Sequence, residues 1–303
     1  MGHVVILGVF VADTAYRADR MPVMGETVLG NSFSLGPGGK GSNQAVAISR
    51  AGGKVSLIAR IGDDHFANIG LNLYQKENVN TEGLIIAKGE NTGSAAISVD
   101  KNGMNSIIVV PGAASGIDKS VIEEKIDMFN DSSLLLTGYE IPLEVTNHSL
   151  NLAKKKGLRT ILNPAPFFEN DKEVFKLVDY LTPNEHEASS LTKVSVKSID
   201  DARVAGQKIC ELGVGTSIIT LGEKGIYFAN KDENFFLEAY KLKKAVIDTT
   251  GAGDAFNGAF AVGLASDLDT KDALTFANKV AGISTTRLGA AASMPFAKEL
   301  ENN

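Results

Sequence analysis

The amino-acid sequence predicts an α/β fold in which helices cover both faces of a mostly parallel central sheet. Short, nearly all-apolar runs rich in β-branched residues alternate with longer amphipathic stretches through most of the chain. Strands that are apolar on both faces are typical of parallel sheets buried between two helical layers. The predicted strands cover residues 4–7, 55–59, 134–137, 160–162, 180–182 and 217–220. The predicted helices cover residues 43–51, 66–77, 119–129, 143–156, 200–212, 255–264 and 268–286.

Two segments interrupt this alternation. Residues 14–35 contain Met21-Pro22 and Met24-Gly25 and have no helical pattern. Residues 93–110 form two alternating runs around a turn at residues 100–103, which predicts a β-hairpin. We expect these segments, with bounds of about 11–38 and 93–112, to form a small β lid beside a ligand site at the carboxyl ends of the strands. The alternative is a hairpin that only extends the edge of the sheet.

The composition indicates one ordinary globular domain over residues 1–303. The chain is 44% hydrophobic and 22% charged, has a net charge of -6, and contains no linker or repeat. No dense basic block favours binding to nucleic acid or a membrane surface, and no apolar run is long enough to cross a bilayer. The first residues lack the features of a signal peptide, and the single cysteine, Cys210, cannot form an internal disulfide. We therefore expect a cytoplasmic protein.

The most informative segment spans residues 248–256, Asp-Thr-Thr-Gly-Ala-Gly-Asp-Ala-Phe. Gly251, Ala252 and Gly253 form a turn directly before the carboxylate of Asp254 and the predicted helix that follows. Backbone N–H groups at a helix N-terminus have no partner inside the helix, and the dipole there is positive, so the turn is a candidate anion hole. An acid held there can take a proton from a nucleophile while the amides stabilise phosphate charge. The alternative is that Asp254 only caps the helix.

A second glycine cluster, residues 36–43, leads into the first predicted helix. It departs from the P-loop pattern at two positions. Its glycines formally satisfy G-x-G-x-x-G, but that fingerprint belongs directly after the first core strand, which ends at residue 7 without it. An NAD-dependent oxidoreductase therefore stays open only as an alternative of another class. Otherwise the cluster is a glycine turn that lets a ligand approach closely, with Lys40 and Asn43 as polar groups at the helix start.

Two further strand ends carry polar turns. Asn184 and Glu187 open a helix and share one face of it, where they could hold a hydrated Mg²⁺; the alternative is an Asn cap with acids in the first turn. Residues 220–225, Thr-Leu-Gly-Glu-Lys-Gly, follow another strand and could line a nucleotide. The four histidines have no metal-binding spacing.

Together these motifs resemble a known family. Residues 38–44 (Gly-Gly-Lys-Gly-Ser-Asn-Gln) and 248–256 resemble the two signatures of the ribokinase-like (PfkB) sugar kinases, and the resemblance extends in order over essentially the whole chain. Residues 25–28, Glu140 and residues 163–166 are most similar to the ribokinase branch. The resemblance implies transfer of phosphate from ATP to the primary hydroxyl of a pentose, with D-ribose as the expected sugar, mainly through positioning and electrostatics.

The resemblance also implies roles for individual residues. Asp254 would be the catalytic base, and Gly251, Ala252 and Gly253 would form the anion hole for the γ-phosphate. The expected sugar site consists of Val11, Asp13, Gly39, Lys40, Asn43, Glu140 and Asp254. The expected ATP site consists of Asn184, Thr220, Gly222, Lys224, Gly225, Gly253 and Asn278, with Glu187 ordering Mg²⁺ through water. The expected site for an activating K⁺ consists of Asp248, Thr250, Ser284, Arg287, Gly289 and Ser293, several of them through backbone carbonyls.

Two positions depart from the family pattern. Ribokinases usually have Asn two residues before the sugar-binding aspartate, Asp13, and this chain has Val11 there. A sugar hydroxyl would lose a polar partner, so 2-deoxyribose or another sugar stays open as the substrate. Asn278 replaces the adenine-site His common in ribokinases, which is a milder change.

Two further expectations concern assembly and turnover. A sugar- or nucleotide-binding regulator without turnover is an alternative, which the presence of Asp254 disfavours. The resemblance also implies a homodimer formed through the lid strands. Exposed strand edges invite such pairing.

Overall fold

The structure, a computed structural model that describes residues 2–300, contains a nine-stranded sheet and a separate four-stranded sheet. The strands are β1 (His3–Leu7), β2 (Val11–Arg17), β3 (Ser32–Gly38), β4 (Lys54–Gly62), β5 (Leu84–Ala87), β6 (Thr92–Val99), β7 (Asn105–Gly112), β8 (Leu134–Gly138), β9 (Arg159–Asn163), β10 (Tyr180–Leu181), β11 (Thr216–Thr220), β12 (Gly225–Asn230) and β13 (Asn234–Glu238). The helices are α1 (Lys40–Arg50), α2 (His65–Lys76), α3 (Lys119–Glu124), α4 (Leu143–Lys155), α5 (Glu185–Thr192), α6 (Ile199–Glu211), α7 (Ala252–Ala265), α8 (Thr270–Ser284) and α9 (Ala297–Leu300).

The large sheet has the strand order β13-β12-β11-β10-β9-β8-β1-β4-β5. The strands from β11 to β5 in this order run parallel, whereas β12 and β13 add an antiparallel edge. The chain proceeds from β1 to β4 and β5 on one side and later places β8 on the other side of β1. In open α/β sheets, ligands bind outside the carboxyl ends of the strands at such a switch point.

The lid is a four-stranded sheet with the order β3-β2-β6-β7. β2 pairs antiparallel with β3, and β6 pairs antiparallel with β7. A parallel pairing between β2 and β6 joins the two ribbons and places Val11 opposite Gly93 and Asp13 opposite Ala95. The hairpin at residues 93–110 therefore belongs to this separate sheet and does not extend the large one. The predicted fold class, a helix-covered parallel sheet with a β lid, is confirmed.

Strand β1 illustrates how the core is built. Val4 and Ile6 belong to the apolar cluster that includes residues of α1 and α7, whereas Val5 and Leu7 belong to the cluster that includes residues of α4. All four side chains are at most 1% exposed. Because a strand directs successive side chains to opposite faces, a sheet covered on both sides needs apolar residues at every position.

Several elements differ from the sequence prediction. The helix predicted at residues 119–129 is interrupted, because α3 ends at Glu124 and Ile126–Phe129 form a 3-10 turn. β5, β12 and β13 are not among the predicted strands; in β13 only the three central residues are apolar, and they are half-buried between exposed ends. Among the residues described, no helix is both long and apolar enough to cross a membrane.

Candidate active site

The first turn of α7 carries the predicted anion hole. Gly251 is the N-cap residue with a φ of 77°, and the helix begins at Ala252, so Asp254 lies within the first turn. A Cβ at Gly251 would lie 2.9 Å from the Cα of Ala290, so this turn requires glycine. Within residues 2–300, the N–H groups of Gly251 and Gly253 have no acceptor, whereas the N–H of Ala252 donates to a carbonyl of the preceding turn at 3.2 Å. Two of the three predicted amides are therefore available to an anion.

Asp254 is held by side chains from the first turns of α1. Its carboxylate accepts hydrogen bonds from Asn43 Nδ2 at 2.9 Å and from Gln44 Nε2 at 3.3 Å. It does not cap α7, whose N-cap residue is Gly251. Burial raises the pKa of Asp254, although the charge of Lys40 and the two amide hydrogen bonds oppose this shift. A carboxylate with a raised pKa is suited to act as a general base near neutral pH.

Lys40, the first residue of α1, lies among carboxylates. Burial lowers its pKa, but Asp254, Glu140 and Glu187 together raise that pKa above its usual value. The backbone N–H of Lys40 also donates to Glu140 Oε2 at 2.8 Å. The preceding residue, Gly39, has a φ of 88°, and a Cβ there would lie 2.5 Å from a backbone oxygen of the segment after β1. Glycine at this position therefore lets α1 start next to the end of β1.

The lid side of the site, which we define as Asp13, Asn43 and Glu140, presents hydrogen-bond acceptors. Burial, reinforced by the charge of Asp254, raises the pKa of Asp13 to about 6. Burial also raises the pKa of Glu140 to about 7, although Lys40 opposes this shift. Asn43 Oδ1 is a buried acceptor for which the described residues provide no donor. These groups can accept hydrogen bonds from the hydroxyls of a ligand.

A cleft of about 390 Å³ adjoins Asp254 and contains most of the residues predicted for nucleotide binding. The predicted residues that line it are Lys40, Asn184, Glu187, Thr220, Gly222, Gly225, Gly251, Ala252, Gly253, Asp254 and Asn278. Lys40 also lines a small cavity together with Gln44 and Glu140. Its charge therefore lies between the cleft and the lid side.

Asn184 and Glu187 cap α5 at the wall of the cleft. Asn184 Oδ1 accepts the Glu187 N–H at 2.8 Å, and Glu187 Oε2 accepts the Asn184 N–H at 2.9 Å, which closes a capping box. Burial raises the pKa of Glu187. The described residues contain no group of three or more His, Cys, Asp or Glu side chains placed to hold a metal ion. A single carboxylate suits Mg²⁺, which usually keeps several waters.

Two residues predicted for the ATP site bond to the protein itself. Lys224 does not line the cleft, and its Nζ donates to the carbonyl of Lys197 at 2.8 Å. Asn278 lines the cleft but uses both ends of its amide: Oδ1 accepts the N–H of Tyr240 at 3.3 Å, and Nδ2 donates to the carbonyl of Glu238 at 2.7 Å. Asn278 therefore joins α8 to the last residue of β13 and to the segment after that strand.

The residues predicted for K⁺ lie in two loops next to Gly251. Asp248 Oδ1 accepts both the N–H and the hydroxyl of Thr250, and Oδ2 accepts the Gly289 N–H at 2.9 Å. Partial burial raises the pKa of Asp248, but these hydrogen bonds outweigh it and lower the pKa. Within residues 2–300, no group donates to the backbone oxygens of Thr250, Arg287 and Gly289. An anionic carboxylate with carbonyl oxygens is a donor set that fits a hard cation.

The remaining members of the predicted cation set have local hydrogen bonds. Ser284 Oγ and Ser293 Oγ each donate to the carbonyl three residues earlier, which leaves their lone pairs free to accept or ligate. The guanidinium of Arg287 pairs with Glu299 at 2.8 Å. Arg287 therefore contributes to this loop through its backbone.

Three polar side chains at the site, Gln44, Thr182 and Asn257, were not predicted as site residues. Gln44 bonds Asp254, as described above. Thr182 Oγ1 donates to Asn257 Oδ1 at 2.7 Å, and Asn257 Nδ2 donates to the carbonyl of Gly253 at 2.9 Å. These bonds connect the end of β10 to the first turn of α7. The four-residue spacing between Gly253 and Asn257 on one helix face is the signal that could have indicated this contact.

Comparisons with known proteins agree with this geometry. A family model described as pfkB family carbohydrate kinase matches residues 1–297. The chain is 35% identical to a ribokinase of Haemophilus influenzae, over 97% of this chain and 95% of that protein. It is 32% identical to a deoxyribokinase of Salmonella typhi, over 96% of this chain and 95% of that protein. It superposes on the Arabidopsis thaliana ribokinase complexed with ribose and ATP with a TM-score of 0.92 at 27% identity, over 99% and 98% of the two chains. The chain therefore belongs to the pfkB family of carbohydrate kinases.

Proposed function

We propose that the protein is an ATP-dependent pentose kinase that converts D-ribose to ribose 5-phosphate. The observation that carries this proposal is the position of Asp254, a buried carboxylate with a raised pKa between the free amides of Gly251 and Gly253 and the acceptors of the lid side. A base next to an anion hole suits phosphoryl transfer to a hydroxyl. The NAD-dependent alternative is set aside, because the chain belongs to a kinase family and its glycine cluster joins the end of the lid strand β3 to α1 and does not follow the first core strand.

In the proposed reaction, Asp254 accepts the proton of the primary hydroxyl as the hydroxyl oxygen attacks the γ-phosphorus. The bond from that phosphorus to the leaving oxygen of ADP breaks in the same in-line transfer. Asn43 and Gln44 hold the two carboxylate oxygens of Asp254, which keeps the base oriented toward the substrate. The amides of Gly251 and Gly253 and the charge of Lys40 stabilise the transferring phosphoryl group.

The lid side binds the sugar in this proposal. A buried acceptor without a donor, such as Asn43 Oδ1, costs about 1–3 kcal/mol, and a sugar hydroxyl would relieve that cost. Val11 favours 2-deoxyribose as the second candidate. It is 6% exposed and shares one face of β2 with Asp13. An apolar side chain there offers no partner to a hydroxyl.

ATP, Mg²⁺ and K⁺ complete the proposal. ATP occupies the cleft, and Glu187 holds Mg²⁺ through water. The loops around Asp248 and Gly289 hold K⁺. Bound there, the two cations would supply positive charge close to the phosphates and to the anion hole. A reducing cytoplasm, which suits the single cysteine, is the proposed compartment.

The lid supports a homodimer. Four successive residues of β7, Ile107 to Val110, are each 51–68% exposed. Phe33, on the strand at the other edge of the lid sheet, is 57% exposed. Apolar strands at the edge of a sheet are favourable surfaces for pairing with another chain. We therefore propose that a second copy covers the lid.

The deciding experiment measures ADP release by the purified protein with pentoses, 2-deoxyribose, hexoses, nucleosides and sugar phosphates. The expected result is turnover with the highest kcat/KM for ribose. A higher kcat/KM for 2-deoxyribose would make 2-deoxyribose the preferred substrate and ribose the second candidate. Binding of sugar and ATP without ADP release would favour the regulator instead.

A further inference from the structure

A buried ion pair lies outside the site but contacts the loop that supports it. Arg50, the last residue of α1, donates from Nε and Nη2 to the carboxylate of Glu77 at 2.8 and 2.7 Å. The two side chains are 9% and 3% exposed. Arg50 Nη1 donates to the carbonyls of Ala292 at 3.2 Å and Met294 at 2.9 Å. The guanidinium therefore holds the backbone on both sides of Ser293.

The loop held by Arg50 packs against the anion hole. A Cβ at Gly251 would lie 2.9 Å from the Cα of Ala290 in this loop. The Gly289 N–H, at the start of the loop, donates to Asp248. The loop contains only one short 3-10 turn, so contacts with other elements are needed to hold it in place.

The geometry of the pair suits positioning. A buried ion pair contributes little net stability, because desolvation offsets the attraction between the charges. A bidentate arginine–carboxylate pair has a defined orientation, which a lysine cannot reproduce. Glu77 therefore orients the guanidinium, and the guanidinium in turn orients the two carbonyls.

We propose that Arg50 is a positioning residue that fixes the loop at residues 289–294 against Gly251 and thereby sets the affinity of the neighbouring site for its monovalent cation. The inference rests on the proposed function, because it concerns the cation site assigned there. Helix α1 then acts at both ends. Its first turns hold the base through Asn43 and Gln44, and its last residue holds the loop beside the anion hole.

The test compares Arg50→Lys with Arg159→Lys. Arg159 Nη2 donates to the carbonyl of Leu264 at 2.7 Å near the far end of α7, so its substitution is a matched control for the loss of a guanidinium that holds backbone. Two quantities are measured while K⁺ replaces tetramethylammonium at constant ionic strength: the unfolding temperature, and kcat with KM for ATP. Arg50→Lys is expected to raise the half-saturating K⁺ concentration about tenfold, both for the unfolding temperature and for the kinetic parameters. The kcat at saturating K⁺ should stay close to that of the wild type. Arg159→Lys should leave the half-saturating concentration unchanged.

Glu77→Gln is the second variant, because it keeps Arg50 and its bonds to the carbonyls. It should raise the half-saturating K⁺ concentration by less than Arg50→Lys does. A lower unfolding temperature of Arg50→Lys with an unchanged K⁺ response would make Arg50 purely structural and overturn the inference. So would a wild-type unfolding temperature that does not respond to K⁺. Absence of kinase activity in the wild type would refute the proposed function, while the K⁺ dependence of unfolding would still test Arg50.

Discussion

The two halves of the site present charge in different ways. On the lid side, the carboxyl groups of Asp13 and Glu140 belong to partly buried side chains whose pKa values are raised to about 6 and 7. On the cleft side, the first turn of α7 offers the backbone N–H groups of Gly251 and Gly253, which do not titrate. Recognition of the sugar should therefore depend on pH and on individual side chains. Recognition of phosphate should depend on the geometry of the backbone.

Both halves nevertheless begin with the same local structure. Gly39 before α1 and Gly251 before α7 have φ values of 88° and 77°, and neither helix has a side-chain cap. The difference arises from the residues that follow each glycine. Lys40 and Asn43 bring a charge and a side-chain amide, whereas the turn at residues 251–253 carries no polar side chain and leaves the N–H groups of Gly251 and Gly253 without an acceptor.

The largest effect is expected from replacing Asp254, the proposed base, which lies between the two halves. Asp254→Asn keeps the shape of the side chain but not its basicity. We expect kcat to fall by about 10²–10⁴, with binding of sugar and ATP largely retained. Steady-state kinetics and calorimetric binding measure the two effects separately. A kcat within a few-fold of wild type would refute the role of Asp254 as the base.

Gly251→Ala should disturb the cleft side alone. Its positive φ and the 2.9 Å approach of the new Cβ to the Cα of Ala290 force the turn to move. We expect kcat/KM for ATP to fall by about 10², the cost of losing one anion-hole donor, while sugar affinity stays within a few-fold. Gly253→Ala is a control for the unfolding temperature only, because its Cβ would meet no protein atom within 4 Å although the residue lines the cleft. If the control lowers the unfolding temperature as much as Gly251→Ala does, the effect does not come from this contact.

Val11→Asn should increase the preference of the lid side for ribose over 2-deoxyribose. The new amide could bond a hydroxyl that valine leaves unpaired, at a cost of about 1–3 kcal/mol. We expect kcat/KM for ribose relative to 2-deoxyribose to rise about tenfold. Val11→Ala removes volume without adding a donor and should not reproduce this rise. An unchanged ratio in Val11→Asn would mean that the sugar is selected by other residues.

The two halves should also differ in how ligand recognition depends on pH. As pH rises through 6 and 7, Asp13 and Glu140 ionise, so kcat/KM for the sugar should rise severalfold more than the affinity for ADP.

The free energy of unfolding should change in the opposite direction and fall as pH rises. Both carboxyls bind protons more tightly in the folded protein than in the unfolded chain, where their pKa is about 4. Their contribution to the free energy of unfolding is therefore full below pH 4 and lost as pH rises through 6 and 7.

The stability part of this prediction is measured by thermal unfolding between pH 4 and 8. Asp13→Asn removes one of the two groups, so its unfolding temperature should decline less over this range than that of the wild type. Equal declines would mean that Asp13 is not the titrating group.

The smallest expected effect on catalysis comes from disrupting the proposed contact between the lids of two copies of the chain. Ile108→Lys places a charge on β7, where the native side chain is 68% exposed. We expect light scattering to detect a monomer, with KM for the sugar raised severalfold and KM for ATP unchanged. Val204→Lys, at an exposed position of α6, is the control and should leave the mass unchanged. A dimeric Ile108→Lys protein would contradict pairing through β7.

The sequence by itself determined the features that depend on neighbouring residues. The apolar run of β1 indicated a strand covered on both faces. The glycines at residues 251 and 253 indicated a turn and a carboxylate, Asp254, directly before a helix predicted to start at residue 255; α7 begins earlier, at Ala252, so Asp254 lies within its first turn. A cap by Asn184 with acids in the first turn of the helix was among the predicted alternatives for the same reason, and the structure adds the return bond from Glu187 that closes a capping box. Each follows from backbone geometry within a few residues, where a linear pattern has direct physical meaning.

Only the tertiary structure decided which distant groups meet. The parallel pairing of β2 with β6, the bonds of Asn43 and Gln44 to Asp254, and the bonds of Arg50 to the loop at residues 289–294 all join segments separated by roughly 80 to 250 residues. The direction of Lys224 away from the cleft and the raised pKa of Glu140 were decided in the same way. Periodicity in a sequence specifies which face of an element is buried but not its partner. Burial and the charges around a group set its pKa, so these properties exist only in the folded chain.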